Sequence, residues 1–323
     1  MRRREFIFGM AGWAASPAAT RAQSKSGRYR IGVLDTSARE RNANFRAFQR
    51  ALLQDGYVEG ENVAFDYRSP DGRNESFAEL ARELVRLNVD VIVTRGTPAA
   101  LAARAATAAI PVVMAAAGDP LAIARSPERP AANLTGFGAA ASGAERTRIE
   151  ILREMLPKLA RVAALTNLSN PSRASEWNAT RAAADAMGIE PLVLDARMLA
   201  DIERAFETAS RQRADALVVG SDALIQTNQS AVVSLAAAHR LPAIYTFRDF
   251  VEAGGLASYG ASLLDLYRRA AVYVARILQG AKPADLPIEQ PSKFELIVSI
   301  KAATAIGLTL PEHFLSRADE VIG

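Results

Sequence analysis

The chain contains no cysteine. That removes disulfides, thiolate nucleophiles, thiolate-type zinc sites and a lipid-modified cysteine from the possible chemistries. Histidine is almost as scarce: His239 and His313 are the only two, and neither has a sequence neighbour that would make a metal pair. Acidic residues are plentiful, but no pair stands at a spacing that asks for acid-base work. Net charge is also missing. The first 22 residues hold Arg2, Arg3, Arg4 and Arg21 against Glu5, which leaves 35 basic and 34 acidic residues, or +1, for the rest. A near-neutral body with interspersed charges has no electrostatic footprint for nucleic acid or anionic lipid. Beyond the N-terminus no segment approaches 18 uninterrupted apolar residues, so a membrane-crossing mature chain is not expected. These absences together point away from an enzyme, a metal protein and a cofactor carrier.

What is present begins with MRRREFIFGMAGWAASPAATRAQ. A basic start, a modest apolar run over residues 6–15 and small residues up to Ala22 make the three-part layout of an export signal over residues 1–22. Arg3-Arg4-Glu5-Phe6-Ile7 further fits the twin-arginine pattern. With no anchor in the sequence that follows, the exported product is expected to be free in the periplasm.

The body, half of whose residues are apolar, is long enough for two domains. Strand-like runs at residues 29–34, 62–67, 89–94 and 111–115 alternate with helix-like stretches at 41–55, 75–87 and 98–107. That alternation calls for a parallel sheet with helices on both faces. The order then recurs, with runs at 161–166, 190–194, 214–220 and 242–246. Local details repeat too: Asp90 and Asp215 open the third strand of each set, and Ile110-Pro111 and Leu241-Pro242 open the fourth. A tail follows, with strands at 255–260 and 294–300, a long amphipathic helix at 263–278 and a short one at 302–306. The pattern predicts two Rossmann-like α/β lobes with parallel sheets, a cleft and a hinge. Lobe one is expected over residues 28–137 plus 256–281 and lobe two over 138–255 plus 282–323, with hinges near 135–138 and 253–256.

In such sheets ligands gather at the carboxyl ends of the strands. Those ends carry Asp35-Thr36-Ser37, Arg95-Gly96-Thr97-Pro98 and Gly118-Asp119-Pro120 in lobe one. In lobe two they carry Asn167 to Asn170, Gly220-Ser221-Asp222 and Tyr245-Thr246-Phe247. The set is rich in hydroxyls, amides, carboxylates and aromatics, with little fixed positive charge. Thr97 before Pro98 reads as a helix cap whose first amides can hold a carboxylate, although a plain cap explains it equally. It is not a P-loop, because the lysine and the spaced glycines are absent. Asp119 and Asp222 fit both capping and ligand contact, Asn167 and Asn170 fit both local turns and ligand contact, and Tyr245, Phe247 and Tyr259 fit both core and cleft wall.

The stretches YRIGVLDT, GYVEGENVAFDYR, GTPAALAA, NLTG, RVAALTNLSNP, RADALVVGSD and LPAIYTFRDFVEAGGLASYGASLLDLYRRAAVYVARILQG resemble the periplasmic substrate-binding proteins of ABC transporters, in the group with tryptophan- and tyrosine-type binding proteins. The resemblance runs nearly end to end. It implies a type I periplasmic-binding fold, a monomer that traps a small polar or zwitterionic ligand such as an amino acid between its lobes, no cofactor, and partnership with a permease and its ATPase. Matched position by position, the ligand contacts it implies are Thr36, Ser37, Thr97, Pro98, Asp119, Asn167, Asn170, Asp222, Tyr245 and Tyr259. Departures fall on the cleft rim and hinge: the segment after Gly118-Asp119-Pro120 is shorter than usual, the turn Asp35-Thr36-Ser37-Ala38-Arg39 is more charged, and Ala131-Ala132 stands where Gly-Gly is frequent. A periplasmic ligand sensor docking on a membrane receptor is the alternative reading of the same fold.

Overall fold

A computed structural model describes residues 27–70, 76–125, 133–140 and 143–323. The export signal expected at residues 1–22 and Ala131-Ala132 lie outside the described residues.

The first half of the repeat gives β1 (Tyr29–Leu34), β2 (Val63–Arg68), β3 (Val91–Arg95), β4 (Val112–Ala117) and β5 (Leu134–Gly138). The second gives β6 (Arg161–Thr166), β7 (Glu190–Asp195), β8 (Ala216–Val219), β9 (Ala243–Tyr245) and β10 (Ala257–Ala261). The tail adds β11 (Ile288–Glu289), β12 (Phe294–Ser299) and β13 (Glu320–Ile322). Sheet one runs β11-β5-β4-β3-β1-β2 and sheet two runs β13-β12-β10-β9-β8-β6-β7. The core order of one lobe, 5-4-3-1-2, therefore returns in the other as 10-9-8-6-7. Pairing is parallel throughout except between β10 and β12. β3 and β4 are buried along their whole length, as parallel strands covered on both faces must be.

The repeated aspartates explain part of the duplication. Asp90 Oδ2 accepts from the Arg30 amide at 2.8 Å, and Asp215 Oδ2 accepts from the amides of Ala160 and Arg161 at 2.9 and 2.8 Å. Each carboxylate fastens the start of its lobe's first strand, β1 or β6, satisfying backbone donors there.

The lobe boundaries differ from expectation in the tail. β10, inside the span expected for lobe one, pairs with β9 and β12 in sheet two. The chain crosses directly after β10, and the helix Leu263–Leu278 buries Leu266, Tyr267, Ala270 and Val274 in the core of lobe one. Residues 282–289, expected in lobe two, stay with lobe one, where β11 extends sheet one beside β5. The chain thus passes between lobes after β5, after β10 and between β11 and β12. The expected hinge at 253–256 is instead a turn inside lobe two, leading from the helix Arg248–Glu252 into β10.

Candidate functional site

The strand order reverses between β1 and β3 in sheet one and between β6 and β8 in sheet two, which is where open α/β sheets bind ligands. An inner cavity sits there. Space between its atoms, the open mouth included, totals about 430 Å³, and its walls include Thr36, Arg95, Gly96, Thr97, Pro98 and Gly118 from lobe one with Asn170, Ser221, Gln226 and Phe247 from lobe two. A more polar outer mouth continues from it past Ser37, Asn42, Gln229 and Asp249.

The Gly-Thr-Pro turn forms one wall. Gly96, not Thr97, is the residue before the helix Thr97–Ala106, at φ 84° and ψ 154°, a conformation open to glycine and costly for any other residue. The shift by one position frees the Thr97 hydroxyl from capping; its Oγ1 accepts from the Gly118 amide at 3.1 Å. A Cβ on Gly118 would lie 2.7 Å from Nη2 of Arg173 and 2.9 Å from Oγ1 of Thr97, so a side chain there would displace the tip of lobe two's Arg173 from this turn.

The expectation of little fixed positive charge is corrected by two arginines, each only 3% exposed. Arg95 ends β3 at a register shift against β4, an irregularity of the kind that re-aims a side chain. Its Nη1 donates to Ser37 Oγ at 3.0 Å, while Nη2 crosses the cleft to Gln226 Oε1 at 2.9 Å and Asp249 Oδ2 at 2.8 Å. Asp35 Oδ1 is 3.8 Å away, and the ring of Phe247 lies 6.0 Å below the guanidinium. Burial works against this charge, and the carboxylates of Asp249 and Asp35 more than restore it, so Arg95 stays protonated. Arg173, in the first turn of the helix Pro171–Ala186, donates to Glu176 and Ser221.

Asp35, the charged departure at the first strand end, is fully buried. It accepts from Asn42 Nδ2 at 2.9 Å, from the Ser37 amide at 2.9 Å and from the Tyr267 hydroxyl. Burial first, and the Asp35 charge second, push the hydroxyls of Tyr267 and Tyr67 far above the ordinary tyrosine range. Both therefore act as neutral hydrogen-bonding groups.

The predicted residues separate by position. Thr36, Thr97, Pro98 and Asn170 line the inner cavity, and Ser37 lies at the mouth. Asp222 caps the helix Ala223–Thr227 and accepts from Asn167 Nδ2 at 3.2 Å and Asn170 Nδ2 at 3.0 Å. Asp222 and Asn167 thus stand behind the cavity wall, and Asp222 holds Asn170 in it. Asp119 is exposed and caps its own helix through the Ala122 amide at 2.9 Å, on a neighbouring groove shared with Gln290 and Phe294. Tyr245 and Tyr259 are not cleft walls. Tyr245 stacks on Phe250 in the core of lobe two with ring centroids 4.8 Å apart, and Tyr259 faces Phe294 at 6.3 Å. Both lie within strands, where successive side chains point to the two faces of the sheet rather than off its end. Phe247, two residues past Tyr245, supplies the aromatic wall instead.

Two buried polar atoms on the cavity wall, Thr36 Oγ1 and Gln226 Nε2, have no hydrogen-bond partner among the described residues. Buried polar atoms are nearly always paired, so such atoms in a cleft mark where a ligand atom is expected. Among the described residues no group of His, Cys, Asp or Glu is arranged to hold a metal ion. His239, at a helix end, shares a 2.8 Å hydrogen bond with Ser210 on the outer surface.

Comparison with known proteins agrees with this architecture. A model of the family described as ABC transporter substrate binding protein matches residues 34–322. The tyrosine-binding protein of Clostridioides difficile (strain R20291) is 24% identical over 265 residues, 81% of this chain and 76% of that protein. The ABC domain in complex with L-Trp from Streptococcus pneumonia superposes with a TM-score of 0.81 at 27% identity, covering 92% of this chain and 100% of that one. A conserved domain protein from Vibrio cholerae gives the same TM-score, 0.81, at 26% identity over 91% and 99% of the two chains. With a family match spanning nearly all of the folded body and a cleft between two duplicated lobes, the chain belongs to the ABC transporter substrate-binding proteins, which bind solutes and are not enzymes.

Proposed function

We propose that the protein is the periplasmic solute-capturing component of an ABC importer, exported by its N-terminal signal and acting as a monomer. It closes on a small polar or zwitterionic molecule of amino-acid type and presents it to a permease. The observation that carries this reading is the inner cavity, whose walls come from both lobes and offer Thr36 Oγ1 and Gln226 Nε2 without partners. Thr36, Thr97, Pro98 and Asn170 would touch the ligand, Ser37 would meet it at the mouth, and Asn167 and Asp222 would keep Asn170 in place. The first amides of the helix Thr97–Ala106 suit a carboxylate, and Phe247 with Pro98 suits an apolar or aromatic body. The tyrosine and tryptophan binding of relatives supports this choice.

Capture needs no chemistry, only higher affinity of the closed form for the ligand. Mass spectrometry of what co-purifies, followed by small-angle scattering and thermal unfolding with that solute, tests the reading. Saturating ligand at a hundredfold over Kd should add about 2.7 kcal/mol of stability and shrink the radius of gyration. A screen of periplasmic solutes in which none does either would remove the capture role.

A further inference from the structure

The orientation of Gln226 carries information about the ligand. A carboxamide can present either its oxygen or its NH2, and coordinates alone rarely tell the two apart. Here the neighbour decides: arginine has donors only, so the atom bonded to Arg95 Nη2 at 2.9 Å must be Oε1. Nε2 is thereby left as the spare donor of a residue that lines the cavity, and it has no partner among the described residues although Gln226 is only 8% exposed. Beside it stand the Thr36 hydroxyl, 4% exposed and equally without a partner among the described residues, and the Arg95 guanidinium. The nearby carboxylates are engaged by the protein. Asp35 accepts from Ser37, Asn42 and Tyr267, and Asp249 accepts from Arg95 and from Asn44 Nδ2 at 3.3 Å.

We infer that Gln226 is a specificity-determining residue of this cleft, held by Arg95 so that it selects solutes ending in an accepting oxygen: a second carboxylate, a carbonyl or a phenol. The inference rests on the solute-capture reading and narrows it. A carboxylate at the Thr97 turn and an oxygen at Gln226 define a solute with an acceptor at each end. An ammonium at the Gln226 end would face a guanidinium and an NH2, both of positive polarity, and would leave Nε2 unsatisfied. Sites built to hydrogen-bond a polar group reject analogues that lack it far more strongly than apolar pockets reject a size difference.

The test titrates the protein with matched probes that differ at one end: L-glutamate against L-ornithine, adipate against aminohexanoate, and L-tyrosine against L-phenylalanine. The oxygen-ended member should bind at least tenfold tighter in every pair that binds. Gln226→Glu keeps an acceptor for Arg95 but turns a carboxylate oxygen to the cavity, so it should bring the glutamate-to-ornithine ratio below twofold or reverse it, with the unliganded variant unfolding near the wild-type temperature. Equal or tighter binding of the ammonium-ended probes, a ratio unmoved by Gln226→Glu, or failure of every oxygen-ended probe to bind would each overturn the inference. Scattering on the same samples separates the two levels: lobe closure on any probe preserves the solute-capture reading even where the end-group preference fails.

Discussion

At the scale of single residues, the Thr97 hydroxyl and the missing side chain of Gly118 do one job between them. Thr97→Val removes the acceptor for the Gly118 amide and should cost about 1 kcal/mol of stability together with a several-fold loss of affinity, both readable from denaturant unfolding and titration of the same samples. Gly118→Ala places a methyl group against Arg173 and Thr97; the variant should stay folded but close less tightly, with a larger radius of gyration at saturating ligand than wild type. These positions were legible in the sequence because they follow strands directly. Arg173 and Gln226 were not, although a rule finds them. Each sits three or four residues past an N-cap, Asn170 or Asp222, and side chains in a helix's first turn lean back toward its N-terminus. Residues one turn into a helix therefore reach the same cleft as the strand end before it.

The elements read less evenly. Long apolar runs such as β1, β3 and β6 were fixed by pattern within a residue or two. β5 escaped because Leu134-Thr135-Gly136-Phe137-Gly138 is short and carries two glycines, and β11 and β13 are only 2 and 3 residues long. Such segments become strands through their neighbours, which no local pattern shows. At the β3-to-helix turn, Gly96→Ala should cost about 1–3 kcal/mol in denaturant unfolding, because alanine must adopt φ 84° there. β13 is tied to the helix Arg248–Glu252 by Arg248, which donates to Glu320 at 2.8 Å. Hydrogen bonding from that guanidinium holds the Glu320 carboxyl below its ordinary range. Its small contribution is present above the unfolded carboxyl range, about pH 4.3, and fades as pH falls through the lower folded value. Glu320→Gln should accordingly flatten the acid limb of a melting-temperature profile, while a profile parallel to wild type would show the pair contributes nothing.

For the whole molecule, the Arg95 bridge to Gln226 and Asp249 joins the lobes through protein atoms alone. Truncating one side of a buried, hydrogen-bonded charge pair across an interface costs about 2–5 kcal/mol. Asp249→Asn is the milder cut, and it should open the ligand-free protein in scattering and raise Kd roughly tenfold or more, that is by about 1.4 kcal/mol. A ligand-free variant that scatters like wild type would assign the bridge to packing alone. The duplicated topology was visible in the sequence order, but this bridge was not: Arg95 and Asp249 are 154 positions apart, and only the facing of two sheets brings them together.

That bridge also bears on timing. If the lobes rest closed before a solute arrives, entry waits on spontaneous opening, and the observed capture rate should rise with solute concentration only until it meets the opening rate, then level off. Weakening the bridge lifts that ceiling even as it lowers affinity. Stopped-flow mixing of wild type and Asp249→Asn would show the plateau and its displacement, and would place the protein nearer to a slow, retentive trap than to a fast sampler of its surroundings.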